Sequence, residues 1–301
     1  MLLLVGMLLL ALLVAPSAWA GTFTVSNGNN DSGLGSLRHA INAVNADTSD
    51  STAAPDTIMV SGGPFTLVPG TQLPAIQRPV VLEGAGLTIN DATASPTFPP
   101  PAANDALVLQ TGSDGSTVSG LTIVGAAAGA GIAIVSSGDT ITQNTIGSAA
   151  AGNEFGITVF SSNNTIGGAA SAGNVISGNT GDGIFLVGPD GSGPAVSGNV
   201  IEGNTIGSTT GVGNGNAGVE IGFGATDNTV GGTAAGAGNV ISGNGATGNG
   251  TPGDTGPGVL LQGAGTSGNT IEDNRYGPGR CGGDVEPGHQ GRGQVHGLGQ
   301  R

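Results

Sequence analysis

The chain has 301 residues, 61 of them Gly and 16 Pro, and a formal net charge of −14. Its six cationic side chains are all Arg, which excludes nucleic acid as a partner because affinity for phosphates depends on clustered cations. A single Cys, Cys281, excludes an intramolecular disulfide and a Cys-based zinc cluster.

The first twenty residues have the pattern of an export signal. Leu2 to Val14 are apolar, and Ala18-Trp19-Ala20 forms the small-x-small ending after which such signals are cleaved. The run is shorter than the roughly twenty apolar residues that span a membrane, and no later segment is long enough. The sequence predicts a signal peptide at 1–20, a mature chain without a transmembrane segment, and a secreted, extracellular or cell-surface location.

Residues 21–105 are predicted to hold an N-terminal cap and the first strands. "TFTV" at 22–25 is strand-like, and the Pro-rich stretch 95–103 cannot join a strand ladder and is predicted to be a loop. Further strand-like runs lie at 56–60, 65–68 and 79–84. Between them, Ser36 is placed as the N-cap of one short helix whose apolar residues have helical spacing: Leu37, Ala40, Ile41 and Val44.

From residue 106 to residue 274 the chain repeats two alternating blocks. Asn/Asp-x-Ile-x-x-Asn occurs at 139–144, 174–179, 199–204, 239–244 and 269–274. Gly-Ile/Val-x-Ile/Val/Leu begins at Gly131, Gly156, Gly183, Gly218 and Gly258. Successive copies of the second block start between 25 and 40 residues apart, so the strands are regular while the turns vary in length.

This periodicity decides between disorder and structure. A chain this rich in Gly and Pro is typical of disorder when it is aperiodic, but here the 37% of hydrophobic residues fall in short, regularly placed runs. Alternating apolar residues in runs of four or five favour strands with one buried face. Several strands per period predict a parallel β-solenoid of about seven coils, roughly 35 Å long.

The repeated asparagines are predicted to form a structural ladder at the bends between strands. Asn tolerates the backbone of such bends, and stacked amides can bond along the solenoid axis. The predicted ladder residues are Asn144, Asn174, Asn179, Asn199, Asn204, Asn239, Asn244, Asn269 and Asn274. Because a solenoid exposes strand edges at its ends, the helix is predicted to be the N-terminal cap.

The opening and the repeats together resemble the secreted bacterial right-handed parallel β-helix proteins of the pectin-lyase-like superfamily. The likeness covers about residues 22–274 and includes "GNVISGN". It also includes a Ser-Leu-Arg-x-Ala-Ile helix, matched by Ser36, Leu37, Arg38, Ala40 and Ile41. The resemblance implies an all-β, right-handed parallel β-helix with one short N-terminal capping helix, exported by a bacterium.

In enzymes of this superfamily, acids and bases lie on outward positions of one long sheet, where an extended polysaccharide binds. If the Gly-Ile-x-Ile blocks form that sheet, the inward residues are Ile132, Ile134, Ile157, Val159, Ile184, Leu186, Val219, Ile221, Val259 and Leu261. The outward row is then Ala133, Thr158, Phe185, Glu220 and Leu260, with Phe160 and Gln262 as neighbours.

The outward row lacks an evident catalytic set. Hydrolysis of glycosides needs two carboxylates, and lyase chemistry needs a base, usually Arg or Lys. The row offers one carboxylate, Glu220, and the paired-Asp and Gly-His-Gly motifs of polygalacturonase-like relatives are absent. No catalytic residue is predicted; Phe160, Phe185 and Glu220 are candidates for holding a sugar ring, although Phe185 could instead cover a neighbouring coil or loop.

No metal site and no cofactor are predicted. Asp182 and Asp190 could contribute to a calcium site, but the Gly-Gly-x-Gly-x-Asp repeat of calcium-binding solenoids is absent, and a place in turns explains both acids. His39 falls on the helix away from its apolar stripe and is interpreted as a solvated residue.

The last residues, 275–301, differ from the rest. They contain four of the six Arg, two of the three His and no Asn. A reading-frame error or truncation that leaves a disordered tail is the favoured hypothesis; a basic binding tail is the alternative, weakened by Asp284 and Glu286.

The sequence thus favours a structural, adhesive or glycan-contacting β-helix without catalysis, whose partner is an extracellular polysaccharide or cell-surface component. A lyase or hydrolase acting on extended acidic polysaccharide is the alternative.

Overall fold

The computed structural model describes residues 20–28, 32–48, 52–91, 104–169, 171–189, 195–208, 211–245, 256–277 and 283–285. The predicted signal peptide, apart from Ala20, and the Pro-rich stretch at 95–103 lie outside these residues. One helix occurs in the described chain, α1 (Leu37–Ala46).

The described strands are short. They are β1 (Thr22–Val25), β2 (Asp56–Val60), β3 (Phe65–Leu67), β4 (Val80–Glu83), β5 (Leu87–Asn90), β6 (Leu107–Leu109), β7 (Thr117–Ser119), β8 (Thr122–Val124), β9 (Ala130–Ile134), β10 (Thr140–Thr142), β11 (Thr145–Ile146), β12 (Phe155–Val159), β13 (Thr165–Gly167), β14 (Val175–Ile176), β15 (Ile184–Val187), β16 (Val200–Glu202), β17 (Thr205–Gly207), β18 (Val219–Gly222), β19 (Thr229–Gly231), β20 (Val240–Ser242), β21 (Val259–Leu261), β22 (Thr270–Glu272), β23 (Arg275–Tyr276) and β24 (Gly283–Val285).

The strands form three parallel sheets. Sheet 1 has nine strands in the order β1-β2-β4-β7-β10-β13-β16-β19-β22. Sheet 2 has eight, β23-β20-β17-β14-β11-β8-β5-β3, and sheet 3 has seven, β24-β21-β18-β15-β12-β9-β6. The chain visits the sheets in turn, so that each set of three successive strands from β4 onward makes one coil. This is a right-handed parallel β-helix, and the predicted fold class is confirmed.

The core is a stack of aliphatic columns inside the coils. In sheet 2, Ile146, Ile176, Ile206 and Ile241 occupy directly paired positions of successive coils and are almost completely buried. Burying one such side chain contributes about 1.5–3 kcal/mol, and the parallel pairing repeats this gain in every coil.

The N-terminal helix forms where the sequence predicts it. Ser36 is its N-cap, with Oγ accepting the backbone N–H of His39 at 3.1 Å. The guanidinium of Arg38 donates to the carbonyl oxygens of Thr71 and Gln72, which ties the helix to the loop between β3 and β4. The four predicted apolar residues are buried in the main core: Leu37, Ala40, Ile41 and Val44.

The helix packs against β1 and β2, and β1 is the last strand of sheet 1 at that end. This packing supports the predicted role of α1 as the N-terminal cap, which stays a prediction.

The buried asparagines form three columns, one at each corner of the coil. Column 1 precedes sheet 1 and contains Asp139, Asn164, Asn199, Asn228 and Asn269. Column 2 lies between sheets 1 and 2 and contains Asn144, Asn174, Asn204, Asn239 and Asn274. Column 3 lies between sheets 2 and 3 and contains Asn153, Asn179, Asn214 and Asn244.

The predicted ladder residues are therefore distributed over all three columns. The block at 199–204 lies around a sheet 1 strand, whereas the block at 174–179 lies around a sheet 2 strand. One motif thus serves two corners. The sequence-based prediction missed Asn153, Asn164, Asn214 and Asn228, because none of them belongs to an Asn-x-Ile-x-x-Asn block.

Each internal Asn has hydrogen-bond partners for both the Nδ2 and the Oδ1 of its side-chain amide. Asn199 Nδ2 donates to the carbonyl oxygen of Ser161 at 2.9 Å and to Asn228 Oδ1 at 2.9 Å. Its Oδ1 accepts the backbone N–H of Asn164 at 2.9 Å and Asn164 Nδ2 at 3.0 Å. Buried polar groups with all their partners in place fix the register of the coils, because any slip leaves several of them unpaired.

Candidate functional site

The outward row of sheet 3 has the predicted register. Ala133, Thr158, Phe185, Glu220 and Leu260 pair directly with one another across β9, β12, β15, β18 and β21. All the predicted inward residues of these strands are buried. The alternation of short apolar runs therefore identified the two faces of this sheet correctly.

The N-terminal part of this outward face is covered. Ala133 lies in a second apolar cluster with Val108 and Ala130, against which Ala75 and Phe155 pack. Thr158 is only 5% exposed, and its Oγ1 has no hydrogen-bond partner in the described part of the protein. In this row only Phe185 and Leu260 are partly exposed, whereas Ala133, Thr158 and Glu220 are buried.

Three phenylalanines from successive coils lie together on this face. The ring centroids of Phe155 and Phe185 are 5.8 Å apart, and those of Phe185 and Phe223 are 6.0 Å apart, with tilted planes. Phe223 is 38% exposed. Among the described aromatic residues, Phe160 makes no ring contact, so the structure does not bring it into this group.

A pair of carboxyl groups lies beside the aromatic rings. Glu220 follows Phe185 in the outward row, is 4% exposed, and accepts a hydrogen bond from Gln262 Nε2 at 2.6 Å. Asp182, just before β15, is 2% exposed, and its Oδ1 accepts the backbone N–H of Ala217 at 2.8 Å. The carboxyl group of Glu220 lies close enough to Asp182 to raise the pKa of Asp182.

Burial raises the pKa of Asp182, the negative charge of Glu220 raises it further, and the Ala217 N–H lowers it, which gives a pKa of about 7. At neutral pH a substantial fraction of Asp182 is therefore protonated. The sequence-based interpretation of Asp182 as a turn acid missed this pair, because the two residues meet only when β15 and β18 are stacked.

Cations are absent from the described outward positions of sheet 3. Three Arg fall in the described residues: Arg38 on α1, Arg78 in the loop before β4, and Arg275 on β23. The face therefore presents aromatic, amide and carboxyl groups. Such a surface is suited to ligands with apolar C–H faces and hydroxyl groups and is poorly suited to anions.

The remaining candidates have simpler positions. His39 is exposed on α1, and Asp190 lies outside the described residues. No group of three or more His, Cys, Asp or Glu side chains in the described chain is arranged to hold a metal ion. Within the same residues, no helix is long and apolar enough to cross a membrane.

No protein-family model matches this sequence, and no curated protein matches it either. Solved structures that match this chain include the A-module of the mannuronan C-5 epimerase AlgE4 from Azotobacter vinelandii, with 14% identity, a TM-score of 0.30, and coverage of 87% of this chain and 98% of that one. The A-module of the epimerase AlgE6 from the same organism has 14% identity, a TM-score of 0.32, and coverage of 83% and 86%.

The Dettilon tailspike protein has 14% identity, a TM-score of 0.34, and coverage of 85% of this chain and 54% of its own. The fold assignment rests on the three parallel sheets of the chain itself.

Proposed function

We propose that this protein is a secreted or cell-surface β-helix that binds an extended, uncharged glycan on the outward face of sheet 3, without catalysis. The observation that carries the proposal is the row of three phenylalanine rings beside Glu220 and Gln262. Aromatic faces pack against the C–H faces of sugar rings, while the half-buried amide of Gln262, which donates to Glu220, can form hydrogen bonds with hydroxyl groups.

The charge of the protein favours an uncharged ligand. A formal net charge of −14, with no cation at the described outward positions of sheet 3, repels uronate or sulfated polymers. The coil geometry favours an extended ligand, because equivalent outward positions repeat about every 4.8 Å along the axis.

The second candidate is a polysaccharide lyase or glycoside hydrolase, favoured by the perturbed pKa of Asp182. Hydrolysis of glycosides also needs two carboxyl groups that reach the glycosidic bond from solvent. Both groups are also almost fully buried, which leaves little access for a glycosidic oxygen.

The test is glycan binding by Phe185→Ala and by its matched control, Phe160→Ala. Loss of the central ring should weaken binding to an uncharged polysaccharide by about tenfold, whereas loss of Phe160 should leave it unchanged. Glu220→Gln, which preserves the shape of the side chain, should also change affinity because it alters the hydrogen bond that positions the amide of Gln262. Circular dichroism of each variant checks that the fold is retained.

Equal binding by wild type and Phe185→Ala, or preferential binding of a uronate polymer, would contradict the proposal. Chain cleavage with release of unsaturated or reducing ends would establish the second candidate instead.

A further inference from the structure

The three phenylalanine rings on sheet 3 are spaced like sugar units but are not coplanar. The ring centroids of Phe155 and Phe185 are 5.8 Å apart and those of Phe185 and Phe223 are 6.0 Å apart, distances close to the length of one pyranose unit in an extended glycan. The ring planes of the first pair meet at 39° and those of the second pair at 52°. A ligand that packs on more than one ring must therefore turn its apolar face from one sugar to the next.

This tilt separates two classes of neutral polysaccharide. The surface of a crystalline polysaccharide is flat, so only one of two neighbouring tilted rings can lie face to face with it. A single glycan chain twists about its own axis, and its successive sugar rings can follow the tilt. Because packing between an aromatic ring and a C–H face depends on their relative orientation, the three rings favour the single chain.

Phe223 holds its ring on this face in an unusual backbone conformation. Its φ is 54°, in the left-handed region, and it is the only aromatic residue among the described non-Gly residues with positive φ. Its side chain is also 38% exposed. Gly would hold the same backbone without strain, and a residue that stays strained in this way is a candidate for a functional role. What the strained position provides is an exposed aromatic face beside Phe185.

The amide of Gln262 is oriented beside the rings. Its Nε2 donates to Glu220 Oε1 at 2.6 Å, and the side chain is half-buried. A Cβ added at Gly222 would lie 3.4 Å from Glu220 Oε1 and 3.6 Å from Phe185 Cε2, so this carboxyl oxygen and this ring border the same point of the face. Gln262 Oε1 has no hydrogen-bond partner among the described residues. It is therefore placed to accept a hydrogen bond from a ligand hydroxyl.

We propose that the ligand of this face is a single, twisted chain of neutral sugars that crosses three successive coils, and not the flat surface of a crystalline polysaccharide. The inference rests on the glycan-binding function proposed above. Phe185 and Phe223 pack on consecutive sugar rings, and Gln262 Oε1 accepts a hydrogen bond from a hydroxyl group beside them. A neutral chain also suits a face whose described outward positions carry no cation.

The first experiment compares two forms of one polymer. Depletion isotherms of the full chain are measured on microcrystalline cellulose and on amorphous cellulose, which have the same covalent chemistry and differ in whether the chains are free to twist. Soluble laminarin, a β-1,3-glucan, is the third probe. Amorphous cellulose and laminarin should each bind with a dissociation constant at least about tenfold lower than that for microcrystalline cellulose.

The second experiment asks how many rings the ligand uses. Phe185→Ala and Phe223→Ala should each weaken laminarin binding about tenfold, because a twisted chain packs on both rings, whereas a flat ligand would depend on one of them. Phe223→Gly should weaken binding equally, while its midpoint of urea unfolding stays equal to that of wild type or rises, since Gly fits the φ of 54°. Gln262→Leu should also weaken binding, and Phe160→Ala, the control, should not.

Equal or tighter binding to microcrystalline cellulose overturns the inference and leaves the proposed glycan binding intact. So does a loss of laminarin binding in only one of Phe185→Ala and Phe223→Ala, or binding by Phe223→Gly that equals that of wild type. Absence of binding to all three probes also overturns the inference. Preferential binding of a uronate polymer in the same assay would contradict the proposed function itself.

Discussion

Asp139 is the one carboxylate in the amide columns, and replacing it with Asn should make the protein more stable at neutral and alkaline pH. Its Oδ1 accepts the backbone N–H of Ser116 at 2.8 Å and its Oδ2 bonds the hydroxyl of Ser136 at 2.5 Å. Burial raises the pKa of Asp139 from 3.8 to about 7, against the lowering effect of these hydrogen bonds. Asn has the same shape and is the residue used at every other rung of column 1.

The direction of the effect follows from proton binding. Because the pKa of Asp139 is higher in the folded state, the folded state holds this proton more tightly than the unfolded state. The contribution to stability is complete below the unfolded pKa of 3.8 and is lost as pH rises to the folded pKa near 7. The free energy of unfolding should therefore fall by roughly 4 kcal/mol between about pH 4 and about pH 8 on account of this group alone.

Urea unfolding of wild type and Asp139→Asn across this pH range measures the effect. The difference in free energy of unfolding, variant minus wild type, should grow by roughly 4 kcal/mol from the acidic to the alkaline end. Asp227→Asn, at an exposed position with positive φ, removes the same charge without burial and serves as control. A difference that is independent of pH, or that grows toward acid pH, would refute the reasoning.

Two further changes test what holds the coils together. Asn199→Ala removes two donated hydrogen bonds and leaves two donors of Asn164 without an acceptor. It should lower the free energy of unfolding, measured in urea, by about 3 kcal/mol or more. A decrease of less than about 1 kcal/mol would show that the columns contribute little. Gly167→Ala should destabilise strongly, since a Cβ at this φ of +96° would lie 1.9 Å from the carbonyl oxygen of Glu202. Gly222→Ala is its matched control, because the added Cβ would lie 3.4 Å from Glu220 Oε1, an ordinary contact. Thermal unfolding that is equal for the two glycine variants would contradict this account.

Local patterns were enough to predict the helix and the faces of sheet 3. Ser36 and the four apolar residues after it form a pattern within one short segment, and the structure confirms each of them. The alternation around Phe185 likewise predicted which side chains point inward, because neighbouring residues of a strand point to opposite faces whatever the strand pairs with.

The sequence predicted that asparagines stack at the bends, but it did not assign each Asn to one of three columns. The same Asn-x-Ile-x-x-Asn block occurs around strands of two different sheets, so the block alone does not identify the corner at which an Asn lies. Assigning Asn174 to column 2 and Asn199 to column 1 requires the length of every turn between them, and the turns vary.

The sequence by itself determined that this chain forms a parallel solenoid, because a hydrophobic period and recurrent bend residues are properties of consecutive residues. Only the tertiary structure decided which residues from different coils meet: Asp182 with Glu220, Phe223 with Phe185, and Asn239 with Asn274. Those encounters depend on stacking across 30 or more residues of chain, where the lengths of the variable turns set the register. The shift in the pKa of Asp182 follows from the same cause, since the burial and the neighbouring charge that produce it exist only once the coils are stacked.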